Sequence, residues 1–252
     1  MGASPPWLRR TQRSRERMTY DHPEFAGSKV HAKLLRPRDA ATLILVRRGG
    51  GQSPRILMGQ RSAGHAFMPN KYVFPGGRLD AADGRAPWAR DLHPSTLAKL
   101  VDRMRGKPFE RRARGLAQAA IRETLEEAGL LVGRASLEAA PDLSGLTFFM
   151  RAITPPGRTR RYDSRFFVAD ADAVSNLDAP IHQGDAELLT LSWLTLDEIA
   201  GLDLPLITID VLQRLRPYLD RGRLPPPDCT ISFQYYRGKT WIEDEIAAGG
   251  AT

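Results

Sequence analysis

Three glutamates lie close together in the segment RETLEEAGLL, residues 122–131. On a helix of about 3.6 residues per turn, Glu123 and Glu127 lie one above the other, with Glu126 beside them. Because like charges at this spacing repel each other, a bound divalent cation is one explanation for the cluster, since carboxylates are natural ligands of Mg²⁺ and Mn²⁺. Arg122 lies four residues before Glu126 and can pair with it and orient it. The alternative is a helix end whose charges are simply solvated.

A second feature precedes this helix along the chain. The strand-like segment KYVF, residues 71–74, ends at Pro75, Gly76 and Gly77. Glycines that follow a strand let the bare backbone approach a ligand closely. The carbonyl group of Gly76 could therefore complete a metal site that the helix carboxylates begin.

The two segments together resemble the signature of the Nudix hydrolases, G-x5-E-x7-R-E-U-x-E-E-x-G-U, in which U is an apolar residue. The second half of the signature matches Arg122, Glu123, Glu126, Glu127, Gly129 and Leu130. Thr124 stands where an apolar residue is usual, and the opening glycine resembles Gly77. The match predicts that the glycines and the acidic helix belong to one site.

The two halves lie farther apart than the signature allows. Gly77 and Arg122 are 45 positions apart where the signature has 14, a difference of 31 residues. Counted back from Arg122, the first glutamate of the signature falls on Arg114, which is not acidic. Any equivalent of that glutamate must come from within the insertion, and the sequence assigns the role to neither Asp83 nor Glu110.

A long insertion at this point is similar to a branch of the family, the mammalian peroxisomal Nudix enzymes that cleave coenzyme A. Other segments resemble the same branch, and the resemblance covers roughly residues 38–217. These segments are QRS at 60–62, FMP at 67–69, RRYDSRFF at 160–167, and Glu187 ahead of Trp193.

The resemblance implies an α+β fold, namely an α/β/α sandwich with a mixed sheet and a helical insertion within the Nudix box. It also implies one or more divalent cations, Mg²⁺ or Mn²⁺, that activate water to attack a diphosphate. The implied metal ligands are Glu123, Glu126, Glu127 and the Gly76 carbonyl. The implied catalytic residues are Glu126, Glu127 and Arg122, with Glu187 as a candidate general base. The alternative for Glu187 is a cap or an ion pair at the surface.

Arginines near the apolar strands are candidates for binding the substrate. A guanidinium group binds phosphate bidentately, and Arg61 and Arg165 each adjoin an apolar strand-like run. The alternative for both is ordinary surface charge. With Gly77, these two arginines form the predicted substrate-binding set.

The predicted function is cleavage of the diphosphate in a nucleoside diphosphate linked to another moiety, with coenzyme A or acyl-coenzyme A favoured. Nucleotide sugars, ADP-ribose, dinucleotides and capped RNA ends are the competing substrates. The alternative is a non-catalytic Nudix-fold protein that binds a nucleotide or a nucleic acid. The three intact glutamates argue against this alternative, whereas Arg114 argues slightly for it.

Composition limits the class of protein. The chain has 252 residues, 42% of them hydrophobic, and no apolar run approaches the roughly 18 residues of a membrane span. We therefore expect no membrane association. A single cysteine, Cys229, excludes an intrachain disulfide framework and a cysteine-rich zinc site, and is typical of a cytoplasmic protein. The five histidines show no pair at metal-ligand spacing, which favours a metal bound by oxygen.

The net charge of +8 suits a phosphate-rich partner. We expect the partner to be a small nucleoside diphosphate derivative. The charge leaves nucleic acid open as a less favoured partner, and the sequence leaves a homodimer open.

Three regions are predicted: a basic lead-in at 1–37, a Nudix domain at 38–225 with its insertion at about 80–112, and a C-terminal edge strand and tail at 226–252. Strands are predicted at 41–48, 55–61, 71–74, 146–153, 165–170, 187–194 and 230–236, and helices at 95–106, 113–129, 195–202 and 207–219.

Overall fold

A computed structural model describes residues 35–49, 51–64, 68–107, 109–181 and 188–249. In these residues the strands are β1 (Arg38–Arg47), β2 (Arg55–Arg61), β3 (Tyr72–Val73), β4 (Gly76–Arg78), β5 (Thr147–Ile153), β6 (Tyr162–Asp170), β7 (Leu188–Thr195), β8 (Ile231–Arg237) and β9 (Thr240–Ile246). The helices are α1 (Pro94–Val101), α2 (Phe109–Ala128), α3 (Leu196–Ile199) and α4 (Leu206–Leu219).

The strands form one mixed sheet in the order β3-β2-β1-β6-β5-β8-β9. Two further strands attach to it, because β4 pairs with β1 and β7 pairs with β2. β1 is antiparallel to β2 and β4 and parallel to β6. The sheet therefore mixes parallel and antiparallel pairs, as the sequence predicted, and β1 carries the glycine strand β4.

Alternating side chains of β1 bury both faces of the sheet. Leu43 and Leu45 belong to one core cluster with helix α2, and Ile44 and Val46 belong to a second cluster with helix α4. Successive strand residues point to opposite faces, so a run of apolar residues is the pattern of a strand covered on both sides. The predicted arrangement of a sheet between helices, and the α+β class, are confirmed.

Helix α2 positions the acidic cluster. Leu116, Ala120 and Ile121 are fully buried against the sheet, whereas Leu125 is half-buried. The helix ends before Gly129, whose φ of 71° is the left-handed conformation that commonly stops a helix. The three glutamates consequently occupy the last turns of α2.

Two predictions about the remaining elements need correction. The predicted helix at 95–106 is the shorter α1, because Asp102 adopts an extended conformation, and its N-cap is His93. The predicted edge strand is β8, but β9 lies outside it and forms the edge, so the predicted loose tail contains a strand. The sequence of β9, TWIEDEI, has three consecutive charged residues, and charge is common on exposed edge strands.

Candidate active site

The glycine strand β4 lies against the end of helix α2. The backbone N–H of Gly76 donates to Oε2 of Glu127 at 3.0 Å, and the Glu127 side chain is buried. A Cβ atom on Gly77 would lie 2.2 Å from the carboxyl carbon of Glu123. A Cβ atom on Gly76 would lie 2.5 Å from the backbone oxygen of Ala41. The glycine pair thus fits between β1 and two carboxylates, where no side chain has room.

Arg122 links the carboxylates of the helix. Its Nη1 donates to Oε1 of Glu123 and to Oε2 of Glu126, both at 3.0 Å. These two carboxylates therefore converge on one positively charged nitrogen. Negative charge at the C-terminal end of a helix is unfavourable because of the helix dipole. The positive charge of the Arg122 guanidinium offsets both the unfavourable interaction with the helix dipole and the repulsion between the glutamates.

Asp83 is the other partner of Arg122. Nε and Nη2 of Arg122 donate to the two carboxylate oxygens of Asp83 at 2.9 and 3.2 Å, and Asp83 is only 4% exposed. Asp83 also accepts a hydrogen bond from the backbone of Asp80 at 2.8 Å. The hydrogen bond to Asp83, opposed by burial and joined by the nearby carboxylates, raises the pKa of Arg122 above its usual value. Asp83 thereby fixes the guanidinium in the plane from which it reaches the glutamates.

The position of Asp83 corrects the count that led to Arg114. Counted forward from Gly77, five residues intervene and the sixth position is Asp83, the place of the first acidic residue in the signature. The extra residues of the insertion therefore follow Asp83 and do not separate it from the glycines. Arg114 lies elsewhere: its guanidinium donates to Asp91, at distances of 2.8 to 3.0 Å, and to Glu110 at 3.0 Å. It holds the insertion against α2.

Thr124 does not weaken the helix, although the signature has an apolar residue there. It is fully buried, and its hydroxyl donates to the backbone oxygen of Ala120 at 2.8 Å. A threonine in a helix can satisfy its hydroxyl in this way. Its methyl group then packs in the position of the usual apolar residue.

A cleft of about 830 Å³ opens in front of the carboxylates. Glu123 and Glu126 line it, and so do Gly76 and Gly77, whereas Asp80 stands at its rim with a side chain that is 62% exposed. Opposite charge is present as well, because six arginines besides Arg122 line the cleft: Arg36, Arg38, Arg61, Arg78, Arg160 and Arg161. The cleft therefore combines oxygen donors on one side with anion-binding groups on the others.

The donor set suits a hard divalent cation. Among the described residues, no three aspartate, glutamate, histidine or cysteine side chains form a ready-made metal cluster. Two carboxylates nevertheless converge on a cationic nitrogen, and carboxylate and backbone carbonyl oxygens are the ligands that Mg²⁺ and Mn²⁺ prefer. A cation bound by Glu123 and Glu126 would share these carboxylates with Arg122.

Of the two arginines predicted to bind substrate, only one lies at the cleft. Arg61 lines it, but Arg165 is 1% exposed and forms ion pairs with Asp39 at 2.7 Å and Asp163 at 3.1 Å. Ser164 and Phe166 line the cleft, and the alternation of a strand turns Arg165 to the opposite face. The prediction of a phosphate contact for Arg165 is therefore wrong, because its guanidinium group is buried and pairs with Asp39 and Asp163.

Glu187, the candidate general base, lies outside the residues that the structure describes; β7 begins at the next residue, Leu188.

In the described part of the chain, no helix is both long enough and apolar enough to cross a membrane.

Comparisons with known proteins agree with this geometry. The model of the NUDT19 Nudix domain matches residues 37–140. The acyl-coenzyme A diphosphatase NUDT19 of Gallus gallus is 33% identical over 129 residues, which cover 41% of this chain and 34% of that protein. The chain thus matches about a third of the length of this relative.

The fold has a counterpart among solved structures. A NUDIX hydrolase from Alicyclobacillus acidocaldarius superimposes with a TM-score of 0.55 at 23% identity, covering 77% of this chain and all of that one. At this identity the likeness concerns the fold alone. Nudix hydrolases generally use divalent metal ions, and the converging carboxylates are consistent with such use. The glycine strand and the acidic helix both lie within residues 37–140, the part of the chain that matches the NUDT19 Nudix domain, and in this part the chain is similar to the Nudix hydrolases.

Proposed function

We propose that the cleft is the active site of a Mg²⁺- or Mn²⁺-dependent diphosphatase that cleaves coenzyme A or acyl-coenzyme A. The observation that carries the proposal is the convergence of Glu123 and Glu126 on Arg122 beside the bare backbone of Gly76 and Gly77. Carboxylate and backbone oxygens at the end of an arginine-lined cleft support the binding of a cation together with a polyanion.

The residues have separate roles in this proposal. The carboxylates of Glu123, Glu126 and Glu127 hold the cation together with the Gly76 carbonyl, and Arg122 orients the first two. When bound, a divalent cation lowers the pKa of water and neutralises phosphate oxygens. Arg61 and the backbone at Gly77 hold the diphosphate. Glu126 or Glu127, or Glu187, which directly precedes β7 in the sequence, accepts the proton of the attacking water.

Two observations support coenzyme A over other diphosphates. The Gallus gallus relative is named an acyl-coenzyme A diphosphatase. The arginines around the cleft also match a substrate that carries a third phosphate besides the diphosphate, as coenzyme A does. We expect the enzyme to act in the cytoplasm, because its single cysteine is typical of a reducing compartment.

The case for a non-catalytic binding protein is weakened. Arg114 in place of an acidic residue argued slightly for it, but Asp83 stands at the sixth position after Gly77 and pairs with Arg122. A binding protein has no need for this arrangement together with three intact glutamates.

Metal-dependent turnover is the direct test. Wild-type protein, freed of metal by chelation and dialysis, is assayed on coenzyme A, acetyl-coenzyme A, ADP-ribose, a nucleotide sugar and a dinucleotide. We expect turnover only after Mg²⁺ or Mn²⁺ is restored, with coenzyme A cleaved to 3′,5′-ADP and 4′-phosphopantetheine, as identified by mass spectrometry. Absence of turnover on every compound with both metals would overturn the catalytic proposal, and preference for another compound would overturn the choice of substrate.

Replacing Gly77 with alanine should lower kcat/KM by about 100-fold. The new methyl group would occupy the place of the Glu123 carboxylate, which lies at the end of a flexible side chain, so the carboxylate moves while the fold remains. The effect is measured by steady-state kinetics and thermal unfolding. Gly145→Ala is the matched control, because a Cβ atom there meets nothing within 4 Å. Equal activity of both variants would show that the position of Glu123 does not matter.

A further inference from the structure

A second pocket adjoins the cleft. It has a volume of about 100 Å³ and is lined mostly by apolar and aromatic side chains from β5, β6, α4, β8 and β9. Tyr162, Phe166 and Ile207 line both the pocket and the cleft. The pocket and the cleft therefore have walls in common.

Gln234 brings an unpartnered acceptor to this pocket. The residue is 3% exposed, and its Nε2 donates to Oδ2 of Asp210 at 2.7 Å. Because a carboxylate accepts hydrogen bonds and does not donate them, this contact fixes the orientation of the amide. The other end of the amide, Oε1, is buried and has no hydrogen-bond partner.

Trp241 brings an unpartnered donor to the same pocket. Its Nε1 is also buried without a hydrogen-bond partner, and its side chain lines the pocket together with that of Gln234. Leaving a buried polar atom unsatisfied costs about 1–3 kcal/mol. These two atoms, one acceptor and one donor, belong to residues that line one apolar pocket, and a ligand group that reaches them would satisfy both.

The chemistry of a secondary amide matches this pair. Its N–H can donate to the glutamine oxygen and its carbonyl can accept from the indole N–H, while its flanking methylene groups contact the aromatic walls. The size agrees, since a cavity of about 150 Å³ holds a benzene molecule. A pocket of about 100 Å³ accommodates one amide with a few methylene groups, and it is too small for a nucleoside.

We propose that the pocket binds an amide group in the apolar arm of the substrate, with Gln234 accepting from its N–H and Trp241 donating to its carbonyl. This inference rests on the proposed function, because coenzyme A joins its diphosphate to a pantetheine arm that contains two secondary amides. The pocket then selects the substrate by the arm, whereas the cleft binds the diphosphate. ADP-ribose and the nucleotide sugars lack such an apolar amide arm.

Free pantetheine tests the pocket without any catalysis. It has no phosphate, so its binding to metal-free protein, measured by calorimetry, reports on the arm alone. We expect millimolar binding by wild type and roughly five- to tenfold weaker binding by Trp241→Phe, which keeps an aromatic ring but removes the N–H. Trp88→Phe is the matched control, because Trp88 lies in the insertion, is 40% exposed and contacts Arg114 of α2. We expect it to bind pantetheine like wild type.

Kinetics separate this inference from the proposed function. In Trp241→Phe, KM for coenzyme A should rise by a similar factor with little change in kcat, and any turnover of ADP-ribose should be unchanged. Pantetheine binding that weakens in this variant, without turnover of coenzyme A by wild type, would support the pocket and overturn the function. Turnover of coenzyme A by wild type, with pantetheine binding and KM unaltered in Trp241→Phe, would overturn the pocket and leave the function standing.

Discussion

Replacing Glu126 or Glu127 with glutamine should lower kcat by about 100-fold or more, with the fold preserved. Glutamine keeps the shape of the side chain and removes its negative charge, so the loss reports on the charge. The Glu126 side chain is 56% exposed, and its ion pair with Arg122 adds little to stability. Glutamine at position 127 retains an oxygen that can accept from the Gly76 N–H. Both variants should therefore unfold at nearly the wild-type temperature.

A control on the same helix makes this result specific. The Glu110 side chain is 66% exposed and pairs with Arg114, away from the glycine strand, so Glu110→Gln should keep full activity. Steady-state kinetics at saturating Mg²⁺, thermal unfolding and Mn²⁺ binding by paramagnetic resonance give the comparison. We expect weaker Mn²⁺ binding in the two active-site variants only. Full turnover by either of them would rule out its carboxylate as a metal ligand or base.

The elements that carry this site were accessible from the sequence because their patterns are local. The apolar run of β1 and the apolar stripe of α2 are periodic over stretches of residues that neighbour each other in the chain. Both elements appear where they were predicted, with shifted ends. β4 was not predicted, since three residues that include two glycines have no strand pattern of their own and become a strand only by pairing with β1.

The site itself was predicted in part for the same reason. The spacing from Arg122 to Glu127 lies within one helix, so the helix geometry decides which side chains are neighbours. Asp83 was not assigned because the insertion breaks the register when it is counted from Arg122. Counting forward from Gly77 would have reached it, since no insertion lies between those two residues.

Arg165 and the second pocket show what remained beyond prediction. An arginine beside an apolar run can face the cleft or the interior, and the choice depends on Asp39, which lies on a strand 126 residues away in sequence. The pocket depends on the parallel pairing of β5 with β8 and on α4 packing over them. Nothing in the sequence around Gln234 or Trp241 shows that β5 and α4 will leave their polar atoms without partners.

Replacing Asp83 with alanine should lower both activity and stability. The substitution removes the bidentate partner of Arg122. The guanidinium group of Arg122 then keeps its hydrogen bonds to Glu123, Glu126 and the backbone oxygen of Arg78. Breaking a fully buried ion pair costs about 3–5 kcal/mol, and the remaining partners together with the 25% exposure of the Arg122 side chain reduce this to about 2 kcal/mol. We expect kcat/KM to fall by about 100-fold, because Arg122 without Asp83 shifts toward the two carboxylates and draws them out of position.

The concentration of Mg²⁺ required for activity distinguishes a positioning role from a purely structural one. Without Asp83, Arg122 interacts more strongly with Glu123 and Glu126 and competes with the metal, so half-maximal activity should require about tenfold more Mg²⁺. Asp83→Glu keeps the charge and should recover part of this shift. Asp80→Asn is the control, because Asp80 lies 3.9 Å from Arg122 and its side chain is 62% exposed. A lower melting temperature with an unchanged Mg²⁺ requirement would show that Asp83 only stabilises the turn from Asp80 to Asp83. The ion pair between Asp83 and Arg122 would then have no part in positioning the metal ligands.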